Sequence, residues 1–434
     1  MAKVTIIGAG SVEFMRDMLA DLTSYAELQG SIQIALHDID PDRLATAERA
    51  ALQIVERTGA GYPVEAHADR RSALDGTDYA INEIQVGGTK ATLTDFEIPR
   101  RYGVRQTIAD TIGIGGIFRG LRTIPVMLEI GNDMAELCPD ALLLNYANPM
   151  AMAPWAVYEG TPFRNVVGVC HSVRDTHAFL AETVDVPEEE VAFTTAGFNH
   201  QAFVLRFEHA RTGEDLYPRL REIVDADPEG LGRRTRVEIF KRFGYFPTES
   251  SEHTAEYVPW FIHHDDQVER FRVQIDEYLR RSDENLEAFE RSKRLLDAGE
   301  ELPLELHDEL AAQIVRAIES DTPREIYGNV RNEGRIERYP DACCVEVPCL
   351  VDGNGVRPLS VGRMPVQLEA LNRTFLNVVE LTVRAALEER RELVYAAALL
   401  DPNTSAHLTT EQTVAMCDEL IEAHRELLPA GIRP

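Results

Sequence analysis

The stretch Lys3-VTIIGAGS-Val12 constrains the fold more than any other, because an apolar strand runs straight into glycines and Phe14-MRDMLADL then repeats its apolar residues at helical spacing. Such a strand, turn and helix is the opening unit of a parallel sheet. Ser31-IQIALHDI-Asp40 supplies a second strand ending in acidic residues, and Pro41 starts the helix that carries RLATAERAALQIVERTG. Further apolar strands stand at Tyr79-AINEIQVGG, Leu142-LLNYANP and Asn165-VVGVCHS. This alternation predicts an α/β fold with a Rossmann-like, doubly wound and mainly parallel sheet.

Beyond Glu188 the pattern changes. Val191-AFTTAGFNHQAFVLRFEHARTG predicts two short antiparallel strands with a glycine break, residues 215–320 are mainly helical, and residues 336–367 are strand and loop. The tail from Val366 to Leu428 predicts two long amphipathic helices separated near Asp401-PNTS. Two regions are expected: residues 1–188 as a dinucleotide-binding domain, and residues 189–434 as a mixed α+β region packed onto it. The chain has 434 residues, enough for that arrangement.

A formal charge of -29 argues against nucleic acid, since phosphate binding needs concentrated Lys and Arg. No apolar run reaches the roughly 18 residues of a membrane span. The N-terminus shows no signal-peptide core, and Cys138, Cys170, Cys343, Cys344, Cys349 and Cys417 form neither a disulfide framework nor a paired zinc motif. A cytoplasmic location is expected.

Gly8 and Gly10 lie where the first glycine makes the tight turn and the second admits a pyrophosphate to the helix N-terminus. Glu13 replaces the third glycine of the usual pattern, and Ser11 offers a hydroxyl near the phosphates. Asp38, with Asp40 as the alternative, would accept from adenosine ribose hydroxyls and repel a 2′-phosphate, which favours NAD over NADP. Either aspartate would also serve as a helix cap.

Cys170 and His171 follow one strand, and Asn199 and His200 follow another apolar strand and a glycine. A buried cysteine or an isolated histidine is ordinarily structural. Together, Cys170 and His200 offer soft and borderline ligands for one divalent ion, with water or substrate oxygens completing its shell. No third protein ligand stands out. Asn148, in Asn145-YANPM, offers a donor and an acceptor to a polyol, or simple turn chemistry. Asp110-TIGIGGIFRGLR, with Arg119 inside it, predicts a glycine-rich loop whose backbone lies close to a ligand.

Taken with Glu252-HTAEYVPWF and Val361-GRMP, these segments resemble family 4 of the glycoside hydrolases, which use NAD and manganese rather than the usual pair of carboxylates. The resemblance implies that Cys170 and His200 bind Mn2+, that Asn148 binds the sugar, and that Asp110 lies beside it. Tyr257 matches the tyrosine that takes the C2 proton in some members. His171 stands where other members carry a carboxylate, with Asp175 as a neighbouring candidate for the acid. Cys-His-Ser-Val is similar to the branch acting on unphosphorylated α-galactosides and related α-glycosides, whereas phospho-glycosidase members tend to show Cys-Asp or Cys-Asn.

The implied reaction is hydrolysis through C3 oxidation, C2 deprotonation, elimination at C1, water addition and re-reduction of C3. The resemblance also implies a homodimer or homotetramer. Glucosides and uronides stay open as substrates, a uronate carboxylate having Arg119, Arg174 or His253 to pair with. The alternatives are an NAD-dependent sugar or hydroxy-acid dehydrogenase, in which the metal pair would be incidental, and a non-enzymatic NAD-binding protein.

Overall fold

The computed structural model describes all 434 residues. Its strands are β1 (Ala2–Ile7), β2 (Ile32–His37), β3 (Val64–His67), β4 (Tyr79–Asn82), β5 (Leu142–Asn145), β6 (Val166–Val169), β7 (Val191–Phe198), β8 (Gln201–His209), β9 (Arg324–Arg331), β10 (Cys344–Asp352) and β11 (Gly355–Pro358). They form one eleven-stranded sheet in the order β3-β2-β1-β4-β5-β6-β9-β10-β7-β8, with β11 paired to β10. Strands β1 to β6 run parallel and the rest join antiparallel. The expected doubly wound sheet is present. It continues into the second half of the chain, since β9 pairs directly with β6.

Both faces of the central parallel part are covered, so strands β4, β5 and β6 are buried at every position rather than at alternate ones. Leu142 and Leu144 of β5 point into one large core, and Leu143 points into a separate core on the other face. The same division separates Val4 and Ile6 from Ile7 on β1. Strand β3 escapes a pattern search because two of its four residues, VEAH, are polar and it sits at the sheet edge. Strand β9 escapes for a related reason: charges interrupt its sequence REIYGNVR.

Two other expectations need correction. The stretch from Gly113 is not a loop but the start of a 25-residue helix, Gly113–Leu137, and within the glycine-rich motif only Asp110 to Ile112 are irregular backbone. Its glycines serve close packing. A Cβ on Gly116 would lie 2.6 Å from the backbone carbonyl carbon of Thr111, so the helix can press against the segment that carries Asp110 only without a side chain there. The tail holds four helices rather than two: Val366–Leu387, Arg391–Leu400, Pro402–His407 and Thr410–Ala423. Glu389, at φ 52°, turns the chain between the first two. Asp401 caps the third by accepting from the Thr404 amide, and its other oxygen accepts from Gly113 at 3.0 Å. None of the helices is long and apolar enough to cross a membrane.

Gly116→Ala tests the packing account. Alanine is intrinsically the better helix former by about 1 kcal/mol. Because the clashing atoms are backbone, the variant is expected instead to lose about 1–3 kcal/mol of unfolding free energy, measured by urea denaturation.

Candidate active site

The carboxyl ends of the parallel strands carry functional groups in spatial sequence: Asp38 after β2, the Gly8–Gly10 turn after β1, Glu83 after β4, Asn145 to Asn148 around the end of β5, and Cys170 after β6. Gly8 has φ 91°, and a Cβ there would come within 3.1 Å of the Glu83 carbonyl carbon and the Ile84 nitrogen. A side chain would therefore be both strained and crowded. The Gly8 and Ala9 amides donate to the His37 carbonyl, and the Gly10 amide donates to Asp38 Oδ2 at 2.8 Å. Asp40, not Asp38, is the helix cap, accepting from the amides of Asp42 and Arg43. Asp38 is thus the aspartate at the glycine turn, while Ser11 is exposed and makes no capping bond.

At the other end of this edge, Cys170 Sγ lies 3.4 Å from His200 Nε2, and Glu249 Oε2 lies 3.5 Å from that same nitrogen. His200 sits in the tight turn between β7 and β8 at φ 67°, and Glu249 adopts φ 75° just before the helix Ser251–Glu256. Two non-glycine residues in left-handed backbone converge on one point, a conformation that surrounding structure must impose. Sulfur, imidazole nitrogen and carboxylate oxygen at these separations make a face that a divalent ion could occupy.

The ring of His200 is set by a relay. The Thr111 hydroxyl donates to Asp110 Oδ1 at 2.7 Å, so at 2.8 Å it accepts from His200 Nδ1. That places a proton on Nδ1 and directs Nε2 toward Cys170 and Glu249. Asp110 also accepts from Asn148 Nδ2 at 2.8 Å and faces His253 Nε2 at 3.6 Å. Burial disfavours the charged carboxylate, but His253, His200 and Arg119 prevail and hold Asp110 well below the ordinary range. Burial likewise opposes a charged His200; the neighbouring Cys170, Glu249 and Asp110 nevertheless raise it to about 10. A cation bound at Nε2 would displace that proton.

Tyr257 is buried within this cluster and its hydroxyl has no hydrogen-bond partner. Burial, then the charge of Asp110, push the phenol well above 10. His171 faces inward and pairs through Nε2 with Glu309 at 2.9 Å, whereas Asp175 pairs with Arg174 at the surface and does not enter the cluster. Arg119 is buried, and its Nη1 donates to the Tyr278 hydroxyl at 2.8 Å. Arg174 is occupied by the carbonyls of His307 and Asp308.

Several acidic groups here had no distinguishing signal in the sequence. Glu249 and Glu256 are scattered through a helical stretch rich in Glu. Glu346 comes from β10, where its buried carboxylate accepts from Asn199 and Asn329, both at 3.1 Å, and so backs the turn that carries His200. Long-range strand pairing alone brings it there. The one advance signal is that Glu252-HTAEYVPWF contains Glu256, which accepts from the amides of Thr107 and Ala109 and shapes the approach to Asp110.

Comparison with known proteins matches residues 3–186 to a family 4 glycosyl hydrolase model and residues 195–404 to the model of that family's C-terminal domain. The chain belongs to family 4 of the glycosyl hydrolases. It is 41% identical to an α-galactosidase of Bacillus subtilis (strain 168) over 99% of both chains. It is 34% identical to an α-galactosidase of Rhizobium meliloti (strain 1021), over 98% of this chain and 89% of that one. A 6-phospho-α-glucosidase from gut microorganisms, solved in complex with NAD and Mn2+, has the same fold, with a TM-score of 0.83 and 21% identity over 99% of both chains. The chain is therefore an enzyme of glycosidic-bond cleavage, as its motifs suggested.

In this family 4 glycosyl hydrolase, Glu256 gives the cluster a pH dependence. Burial raises its carboxyl from 4.5 to about 7. The stability it contributes is complete below its unfolded value and is lost as pH rises through about 7. Glu256→Gln keeps an oxygen to accept the Thr107 and Ala109 amides but does not ionise. Urea unfolding at pH 5 and pH 8 is expected to show a smaller decline with rising pH in the variant than in the unsubstituted chain.

Proposed function

We propose that the enzyme hydrolyses unphosphorylated α-galactosides with NAD+ and a divalent cation, Mn2+ being the ion of choice. The observation that carries this reading is the donor face of Cys170, His200 and Glu249 on the same sheet edge as the Gly8–Asp38 turn, with Asn148 and Asp110 between them. The donors fit a borderline divalent ion, and the glycine turn with Asp38 fits a dinucleotide lacking a 2′-phosphate. The two α-galactosidase relatives support the sugar and the anomeric linkage. When bound, NAD+ supplies a hydride acceptor and Mn2+ a Lewis acid.

The chain's own groups divide the remaining work. Asn148 and Asp110 hydrogen-bond sugar hydroxyls. Tyr257 receives the C2 proton, and a cation held by Cys170, His200 and Glu249 would counter the burial that keeps its phenol neutral. His171, oriented by Glu309, delivers a proton to the leaving oxygen. Residues 1–188 hold the dinucleotide, and residues 189–434 complete the metal and sugar site. Of the buried arginines nearby, Arg119 already donates to Tyr278, and Asp110, Glu249 and Glu256 crowd the site with carboxylates. A neutral sugar suits these surroundings better than a uronate.

The test is aglycone release from p-nitrophenyl α-galactoside, α-glucoside, α-glucuronide and α-galacturonide under reducing conditions, with NAD+ and Mn2+ each present or omitted. Release from the α-galactoside that needs both additions, without accumulating NADH, is expected. NADH accumulating from free sugar while every glycoside stays intact would replace hydrolysis with a dehydrogenase activity.

The ligand set is tested separately by Mn2+ binding followed by electron paramagnetic resonance without substrate. Cys170→Ser and Glu249→Gln are each expected to weaken binding at least about tenfold, as loss of one charged donor implies. Unchanged affinity in Glu249→Gln alone would leave Cys170 and His200 as the only protein ligands.

A further inference from the structure

Glu83 is the first residue beyond β4, and none of the steps above uses it. Both of its carboxyl oxygens are inaccessible to solvent, and neither has a hydrogen-bond partner. No neighbouring group supplies one: the Tyr146 hydroxyl accepts from the Ala311 amide and makes no hydrogen bond to Glu83, Glu309 is paired with His171, and Asp38 and Glu309 are themselves acidic. A buried carboxyl with two empty oxygens is destabilising unless something else donates to it.

The strand order says what that donor is. The sequence β3-β2-β1-β4-β5-β6 is that of a dinucleotide-binding sheet, in which the ligand crosses the carboxyl ends at the point where the order reverses. Asp38 marks the adenosine side after β2, and the Gly8–Gly10 turn after β1 marks the pyrophosphate. The next strand across is β4. The Glu83 backbone packs so closely on Gly8 that a Cβ there would come within 3.1 Å of it, and its carboxyl is near enough to Asp38 on one side and to Glu309 and Tyr146 on the other to interact with them. We propose that Glu83 is a second ribose-binding residue for the dinucleotide, its two oxygens receiving the vicinal hydroxyls of the ribose on the nicotinamide side. Asp38 and Glu83 then hold one ribose each, on either side of the glycine turn. This rests on the NAD-dependent reading of the site.

The test is calorimetric titration of the full chain with NAD+, ADP-ribose and ADP, alongside Mn2+ binding and the thermal midpoint of the ligand-free protein. Glu83→Leu removes the carboxyl and keeps apolar bulk; Glu83→Gln keeps one acceptor. In Glu83→Leu the dissociation constants for NAD+ and ADP-ribose are expected to rise at least about tenfold, the loss of hydrogen bonds to an acidic group. Those for ADP, which lacks the second ribose, and for Mn2+ should stay within about twofold, and the ligand-free midpoint should rise or hold. Glu83→Gln should fall between. Unchanged NAD+ affinity in a folded Glu83→Leu, or an equal loss for ADP, would overturn the proposal while leaving the NAD reading intact. If the unsubstituted chain bound no NAD+ at all, that reading would fall and the proposal with it.

Discussion

A fully buried carboxylate, Asp110, is the point on which the two halves of the chain close. It accepts from Thr111 beside it and from Asn148 at the end of β5, and it faces His253 from the helix Ser251–Glu256. Through Thr111 it also fixes the imidazole of His200, which belongs to the turn between β7 and β8. A charge at that depth is tolerable only when donors and positive groups surround it, and here Thr111, Asn148, His253 and, through Thr111, His200 come from four separate stretches of sequence. The backbone that presents it is fixed just as firmly. Gly116 lets the long helix press against Thr111, and Glu256 gathers the amides of Thr107 and Ala109.

Around that point the sheet edge acts as a ruler. Because neighbouring parallel strands lie roughly 4.8 Å apart, groups placed one after another at their carboxyl ends are spaced by the backbone itself rather than by side-chain flexibility. A dinucleotide laid along such an edge has its two ends far apart by construction. The groups suited to phosphate and adenosine are at β1 and β2, and those suited to cation and sugar at β5 and β6. The cluster is also markedly acidic inside, with Asp110, Glu256 and Glu346 buried and Glu249 half-buried beside His200. Such an interior favours cations electrostatically.

Much of this was legible in the sequence because it depends on local pattern. The glycine turn after β1, the acidic end of β2, and the pairs Cys170-His171 and Asn199-His200 each announce themselves within a few residues. Where two candidates stood side by side, as with Asp38 and Asp40, geometry assigned one to the glycine turn and the other to a helix cap. What stayed hidden depends on long-range contact. Glu249 gains meaning only when its strained backbone aims it at His200, and Glu346 only when β10 is paired into the sheet. The glycines after Asp110 misled for a different reason: glycine permits both flexible loops and tight helix contacts, and composition does not distinguish them.

The pairing of β9 with β6 carries a consequence for how the chain is made. During synthesis from the N-terminus, the six parallel strands are complete once residue 169 has emerged, yet the partner that covers the outer edge of β6 begins only at residue 324. Until then a short, wholly apolar strand presents unpaired amides and carbonyls, the arrangement that recruits strands from other chains. The nascent protein thus passes through a long interval in which its edge is adhesive, and chaperone engagement during translation would matter most there.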